Sequence, residues 1–113
     1  MLSTKQVKSK IKELLSGQKF AVLATHTRDY PYTSLVGFVA SEDLSYLIFA
    51  VSRESRKYSY MVENNIVSML IDDRKNEPGD FRQASAVTIM GEAETVDSNQ
   101  RQYYQSLEKR ILS

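Results

Sequence analysis

Three apolar runs separated by two short polar links constrain this chain more than any other feature. Phe20–Thr25 (FAVLAT), Pro31–Ala40 (PYTSLVGFVA) and Tyr46–Val51 (YLIFAV) follow one another, with Thr27–Tyr30 and Ser41–Ser45 (SEDLS) as the links. Short runs rich in β-branched and aromatic residues, bounded by Asp, Ser and Pro, read as strands. Links this short join antiparallel neighbours, so the spacing predicts two successive hairpins. Phe20–Thr25 reads as a strand covered on both faces. Pro31 opens the second strand, a position that proline tolerates, and Gly37 inside it predicts a bulge or a close backbone approach.

The remaining segments fit around this meander. Ser3–Ser16 reads as a helix: Ser3 with Gln6 forms a capping box, and Val7, Ile11, Leu14 and Leu15 recur at helical spacing. Gly17 is placed as its stop. Lys5, Lys8, Lys10 and Lys12 lie mostly off the apolar face and read as solvated. Ser55–Glu63 reads as a short crossover helix with Tyr58, Met61 and Val62 on its buried side. Ile66–Ile71 (IVSMLI) is a fourth strand and Ser85–Val96 a fifth, with Gly91 marking a bend. Asp72–Gln83, which contains Pro78 and Gly79, reads as a loop, its Asp72-Asp73-Arg74 cluster closing locally by ion pairing. Asp97 or Ser98 caps a last helix with Tyr104, Leu107 and Ile111 on its apolar face. The order predicts one domain over residues 1–113: a small antiparallel barrel with flanking helices, mostly β or α+β.

The segment that joins the third run to the crossover helix is chemically distinct. Ser52-Arg53-Glu54-Ser55-Arg56-Lys57-Tyr58 carries hydroxyls and cations where a strand gives way to a helix. The first helical turn has backbone N–H groups without intrahelical partners, and the helix dipole adds partial positive charge there. Arg56 offers a planar fork and Lys57 a point charge. Read alone, the segment fits either a phosphate monoester site or a solvated charged turn capped by Ser55.

Composition removes several other functions. With 113 residues, a net charge of +1 and no cysteine, the chain has no global pull toward nucleic acid or membrane, no thiol chemistry and no cysteine-ligated zinc. No apolar run approaches the ~20 residues that span a bilayer. Met1–Gly17 is polar and Lys-rich without an apolar signal core, so the expected compartment is the cytoplasm. His26 is the only histidine and sits in a turn, which argues against a metal site. Asp72, Asp73 and Asp80 do not have calcium-loop spacing. No nucleophilic triad, grouped glycines or evident general acid or base is found. Tyr58, Tyr60, Tyr103 and Tyr104 read as core or interface packing.

FAVLAT, PYTSLVGF, Phe49–Lys57 (FAVSRESRK), Glu63–Leu70 (ENNIVSML) and Val87–Glu94 (VTIMGEAE), in this order, resemble the FMN-binding split-barrel family related to pyridoxamine 5′-phosphate oxidase. The resemblance runs from about Lys19 to Val96, and Ser55-Arg56-Lys57 is its most specific part. It implies a homodimer with FMN at the interface. It implies that Arg56 and Lys57 hold the FMN phosphate at the helix that Ser55 begins. The strand segment Ser34–Val39 would run along the flavin ring and give backbone hydrogen bonds, with Ser34, Leu35 and Val36 nearest. Ala50 and Val51 would touch the cofactor from the end of the third strand.

Departures from the family pattern narrow the expectation. Pyridoxamine phosphate oxidases carry an Arg, a Lys and a Gln where this chain has Ser34, Val39 and Ala86. They also have a C-terminal strand region with an Arg and a His, and this chain stops at Ser113 before any such strand. The expected function is therefore that of an FMN-dependent oxidoreductase acting on another substrate, with a partner subunit covering the open barrel edge or a longer protein supplying it. A non-enzymatic flavin carrier or redox sensor is the second expectation, and a binder of haem or a deazaflavin the third.

Overall fold

The computed structural model describes residues 2–95. Val96 and the expected last helix lie outside the described residues. Helix α1 (Thr4–Gly17) begins with the expected reciprocal cap: Gln6 N donates to Ser3 Oγ at 3.2 Å, and Ser3 N to Gln6 Oε1 at 2.7 Å. Its apolar face packs Ile11, Leu14 and buried Leu15 onto the sheet. Gly17 closes the last turn without a left-handed backbone, and the chain leaves through extended Gln18.

Strands β1 (Phe20–His26), β2 (Pro31–Ala40), β3 (Leu47–Phe49), β4 (Ile66–Asp72) and β5 (Ala86–Glu92) form an antiparallel sheet in the order β3-β2-β1-β4-β5. The sheet curls into half a barrel. Helix α2 (Arg56–Glu63) carries the chain from β3 across to β4 and packs on β1. Residues directly opposite on neighbouring strands share a face. The register Leu23↔Ser34 and Leu23↔Met69↔Ile89 therefore sets one face, with Ala21, Leu23, Val36, Phe38, Val67, Met69 and Ile71 buried in the core under α1.

Among the described residues nothing covers the opposite face, contrary to the reading of β1 as a strand buried on both sides. It carries Phe20, Val22, Leu35, Ile66, Leu70 and Met90, and Leu35 and Met90 are 64% and 81% exposed. Val39 breaks the pattern, since it is buried with Ile48 in a separate small cluster. Val62 is also exposed, at 71%. Helix α2 is only two turns long, and Met61 is the residue it packs into the core.

The bulge offered as one reading of Gly37 does not form. Gly37 pairs with Phe20 in register and stands where β2 passes from β1 to β3, its next residue pairing with Phe49. Gly91 pairs with Val67 in an unbroken ladder, which ends at Glu92 rather than Val96. Ala93 N then donates to Asn65 O at 2.8 Å.

The loop after β4 closes by the expected ion pair, Arg74 Nε to Asp72 Oδ2 at 2.9 Å. It also contains a short helix, α3 (Asp80–Gln83), that the sequence pattern does not announce. The Asp80 carboxylate builds it by accepting the backbone N–H groups of Lys75, Asn76 and Glu77, at 2.7 to 3.2 Å. The Lys75 amide is foremost among the groups that hold the Asp80 carboxyl below the ordinary carboxylate range. A carboxylate with a depressed folded value stabilises the loop fully above the unfolded value, near 3.9, and loses that effect as pH falls through the lower folded value. The amide resonances of Lys75, Asn76 and Glu77 are expected to hold their positions on acidification to about pH 4 and to shift only below it. A midpoint at or above the free aspartate value would contradict this loop structure.

Candidate functional site

The end of β3 and the start of α2 are shaped by two serines. Ser52 O accepts both the Ser55 amide, at 3.0 Å, and the Ser55 hydroxyl, at 2.6 Å. Ser52 Oγ accepts Glu54 N at 3.2 Å, and Ser55 Oγ accepts Tyr58 N at 3.3 Å. Ser59 N reaches Ser55 O. These bonds satisfy the third and fourth N–H groups of the helix. The first two, on Arg56 and Lys57, have no partner among the described residues. Both side chains also lack an ion pair there. Each residue thus offers an anion a main-chain N–H and a cationic side chain at the positive end of the helix. Ser55 spends both its donors on Ser52, so it sets the shape of the turn.

These turn bonds also explain why β3 is shorter than the apolar run Tyr46–Val51. Local side-chain bonds to the backbone compete with ladder pairing, and the ladder ends at Phe38↔Phe49. Ala50 and Val51 follow the strand, Ala50 exposed and Val51 half-buried against the core. In continued register, Ala50 would face Gly37 and Ser52 would face Leu35. Instead, β2 keeps an open edge beside residues 50–55.

Hydrogen-bond parity shows what that edge presents. Phe38 N donates to Lys19 O at 3.0 Å, and Thr27 N to Tyr30 O at 2.9 Å. In an antiparallel pair such bonded partners recur at every second residue. Tyr32, Ser34 and Val36 therefore turn their main-chain groups toward β1, while Thr33, Leu35 and Gly37 turn theirs outward. Of the expected β2 contacts, Leu35 has main-chain groups that face the open edge without a partner among the described residues. Ser34 and Val36 do not, because β1 already occupies their backbone groups. Val36 is buried in the core. Ser34 points its hydroxyl into the same side, where Oγ is enclosed and has no hydrogen-bond partner among the described residues. Gly37 lies within the expected Ser34–Val39 segment, whereas Thr33 was not singled out from the sequence, although the parity follows once the hairpin turn at Thr27–Tyr30 is fixed.

The family model described as pyridoxamine 5′-phosphate oxidase matches residues 7–113. The chain belongs to the pyridoxamine 5′-phosphate oxidase family. A search of curated proteins finds no match. Solved structures share this family fold at low identity. A heme binding protein from Mycobacterium smegmatis is 15% identical with a TM-score of 0.82, over 98% of this chain and 46% of that one. A heme storage protein from Vibrio cholerae is 19% identical with a TM-score of 0.75, over 92% and 75%. An FAD binding protein from M. smegmatis is 22% identical with a TM-score of 0.72, over 95% and 80%. Against the oxidase pattern, Val39 is packed against Ile48 and Ala86 starts the edge strand β5. Neither position offers a polar side chain to a substrate.

Proposed function

We propose that this chain is a dimeric FMN-binding flavoprotein and acts as an oxidoreductase on a substrate other than pyridoxamine phosphate. The observation that carries the reading is the first turn of α2, where Arg56 and Lys57 combine unpaired charge with unpartnered N–H groups beside an open strand edge. That donor set suits a phosphate monoester. The outward main-chain groups of Thr33, Leu35 and Gly37 suit the polar rim of a flat ring, and the enclosed Ser34 hydroxyl is a further polar atom beside them. Bound FMN would supply the electron or hydride transfer, and the protein would bind, orient and shield it.

Relatives of this fold described as binding FAD or haem support a flat cofactor. The phosphate-binding end favours a flavin nucleotide. Haem needs an axial ligand, and His26, the only histidine, lies on the sheet face opposite α2. The uncovered apolar face with Phe20, Leu35, Ile66 and Met90 supports two-fold pairing of the chain. Light scattering is expected to give a dimer at micromolar concentration with cofactor bound, and a monomer that still holds cofactor would contradict it.

Turnover tests the enzymatic part. With FMN bound, a nicotinamide donor and a panel of acceptors are expected to give steady-state turnover. Reduction without turnover would leave a carrier or sensor. Pyridoxamine phosphate is expected to be oxidised no faster than background, since Ser34, Val39 and Ala86 stand where the oxidases place long polar side chains. Clear oxidation of it would contradict the substrate part of the reading.

A further inference from the structure

We infer that Tyr60, gripped by Tyr30 and Tyr32, is a positioning residue that holds helix α2 at a set spacing from the β2 edge, so that one ligand can reach both. The inference rests on the reading of those two parts as the phosphate end and the ring end of a flavin nucleotide site.

The two parts lie on different elements. Arg56 and Lys57 stand in the first turn of α2, and the outward main-chain groups of Thr33, Leu35 and Gly37 lie on β2. The chain between them gives little hold. Strand β3 pairs with β2 at Phe38, Val39 and Ala40, and residues 50–55 lie outside that ladder. Helix α2 buries no side chain fully, and Met61 is its apolar contact with the core.

Tyr60 joins α2 directly to β2. Its ring meets that of Tyr32, the second residue of β2, edge to face at 5.3 Å and 79°. It also meets Tyr30 at 6.3 Å and 86°, with the two hydroxyls 3.0 Å apart. Tyr30 is itself fixed by the hairpin turn, where Thr27 Oγ1 accepts Asp29 N at 3.0 Å and Tyr30 N at 3.1 Å. Each edge-to-face pair favours contact by roughly 2- to 12-fold. A ligand that grips helix and strand together makes its second contact within one complex, and that gain depends on the spacing of the two parts. With the clamp loosened, α2 holds the right spacing for a smaller share of the time, and the apparent affinity of a two-ended ligand falls with that share. Each half of the site, taken alone, keeps its donors.

The alternative is that the three tyrosines only add stability to the fold. FMN, riboflavin and inorganic phosphate separate the two, the flavins read by fluorescence quenching and phosphate by the amide shifts of Arg56 and Lys57. Tyr60→Leu, which removes both ring pairs, is expected to weaken FMN at least about 5-fold. Riboflavin and phosphate, which each use one half of the site, are expected to bind as in the wild type. Tyr30→Phe keeps the rings and removes the hydroxyl bond, and is expected to weaken FMN alone by about 2- to 5-fold. It also provides the test if Tyr60→Leu does not fold. Unchanged FMN affinity in the tyrosine variants, or a loss shared by riboflavin or phosphate, would overturn the inference. If phosphate leaves the Arg56 and Lys57 amides unmoved in the wild type, the anchor reading fails and this inference fails with it. If phosphate moves them and the tyrosine variants keep their FMN affinity, only the inference fails.

Discussion

Replacing Arg56 or Lys57 by alanine is expected to weaken FMN binding by roughly 10- to 150-fold for each substitution. Hydrogen bonds to charged groups are worth roughly 1.5–3 kcal/mol, and about 1.4 kcal/mol corresponds to a tenfold change in affinity. Both side chains sit at the two helix positions whose N–H groups are unpartnered. Loss of either cation leaves the main-chain donors in place, so binding should weaken without vanishing. Riboflavin has no phosphate and should change much less. Arg53 precedes the cap, and its alanine variant should have a smaller effect. The fold should survive, because surface substitutions usually stay within about 0.5 kcal/mol. FMN affinity within about twofold of wild type, or an equal loss for riboflavin, would show that α2 does not hold the phosphate.

The largest stability effect is expected at Phe38. Its side chain is fully buried with Leu23 and Ile71 at the centre of the core, at the point where β2 changes partner from β1 to β3. Truncating a buried Phe to Ala costs about 3–5 kcal/mol, against a total of about 5–15 kcal/mol for a domain. Phe38→Ala should therefore fold marginally or not at all. Ile71→Val removes one methylene from the same core and should cost about 0.5–1.5 kcal/mol, which urea unfolding at fixed protein concentration can read. Val62→Ala, on the exposed side of α2, should lie within about 0.5 kcal/mol of wild type. An Ile71→Val variant as stable as Val62→Ala would mean that the core is packed differently.

Much of this architecture was legible because local chemistry and tertiary structure agree. Ser3 and Gln6 form their box, Pro31 opens β2, and Ser55 caps α2 as its position implies. The misread features are those where a local bond or a missing partner overrides the pattern. YLIFAV has the composition of a full strand, but the Ser52 bonds end it at Phe49. Helix α3 rests on one carboxylate reaching back to three amides, a contact with no hydrophobic period. Phe20–Thr25 looks buried on both faces because its outward residues are apolar, and the described chain leaves that face open. The candidate site shows the same division. Ser55, Arg56 and Lys57 were readable from a capping serine followed by cations. The outward groups of Thr33, Leu35 and Gly37 depended on strand parity, which composition does not carry.

The absorption spectrum of the freshly purified protein, followed by identification of the cofactor released on heating, tests the central claim most directly. The expected result is a yellow protein with flavin bands that releases FMN. A haem Soret band, release of FAD, or a colourless protein that fails to take up added FMN would contradict it.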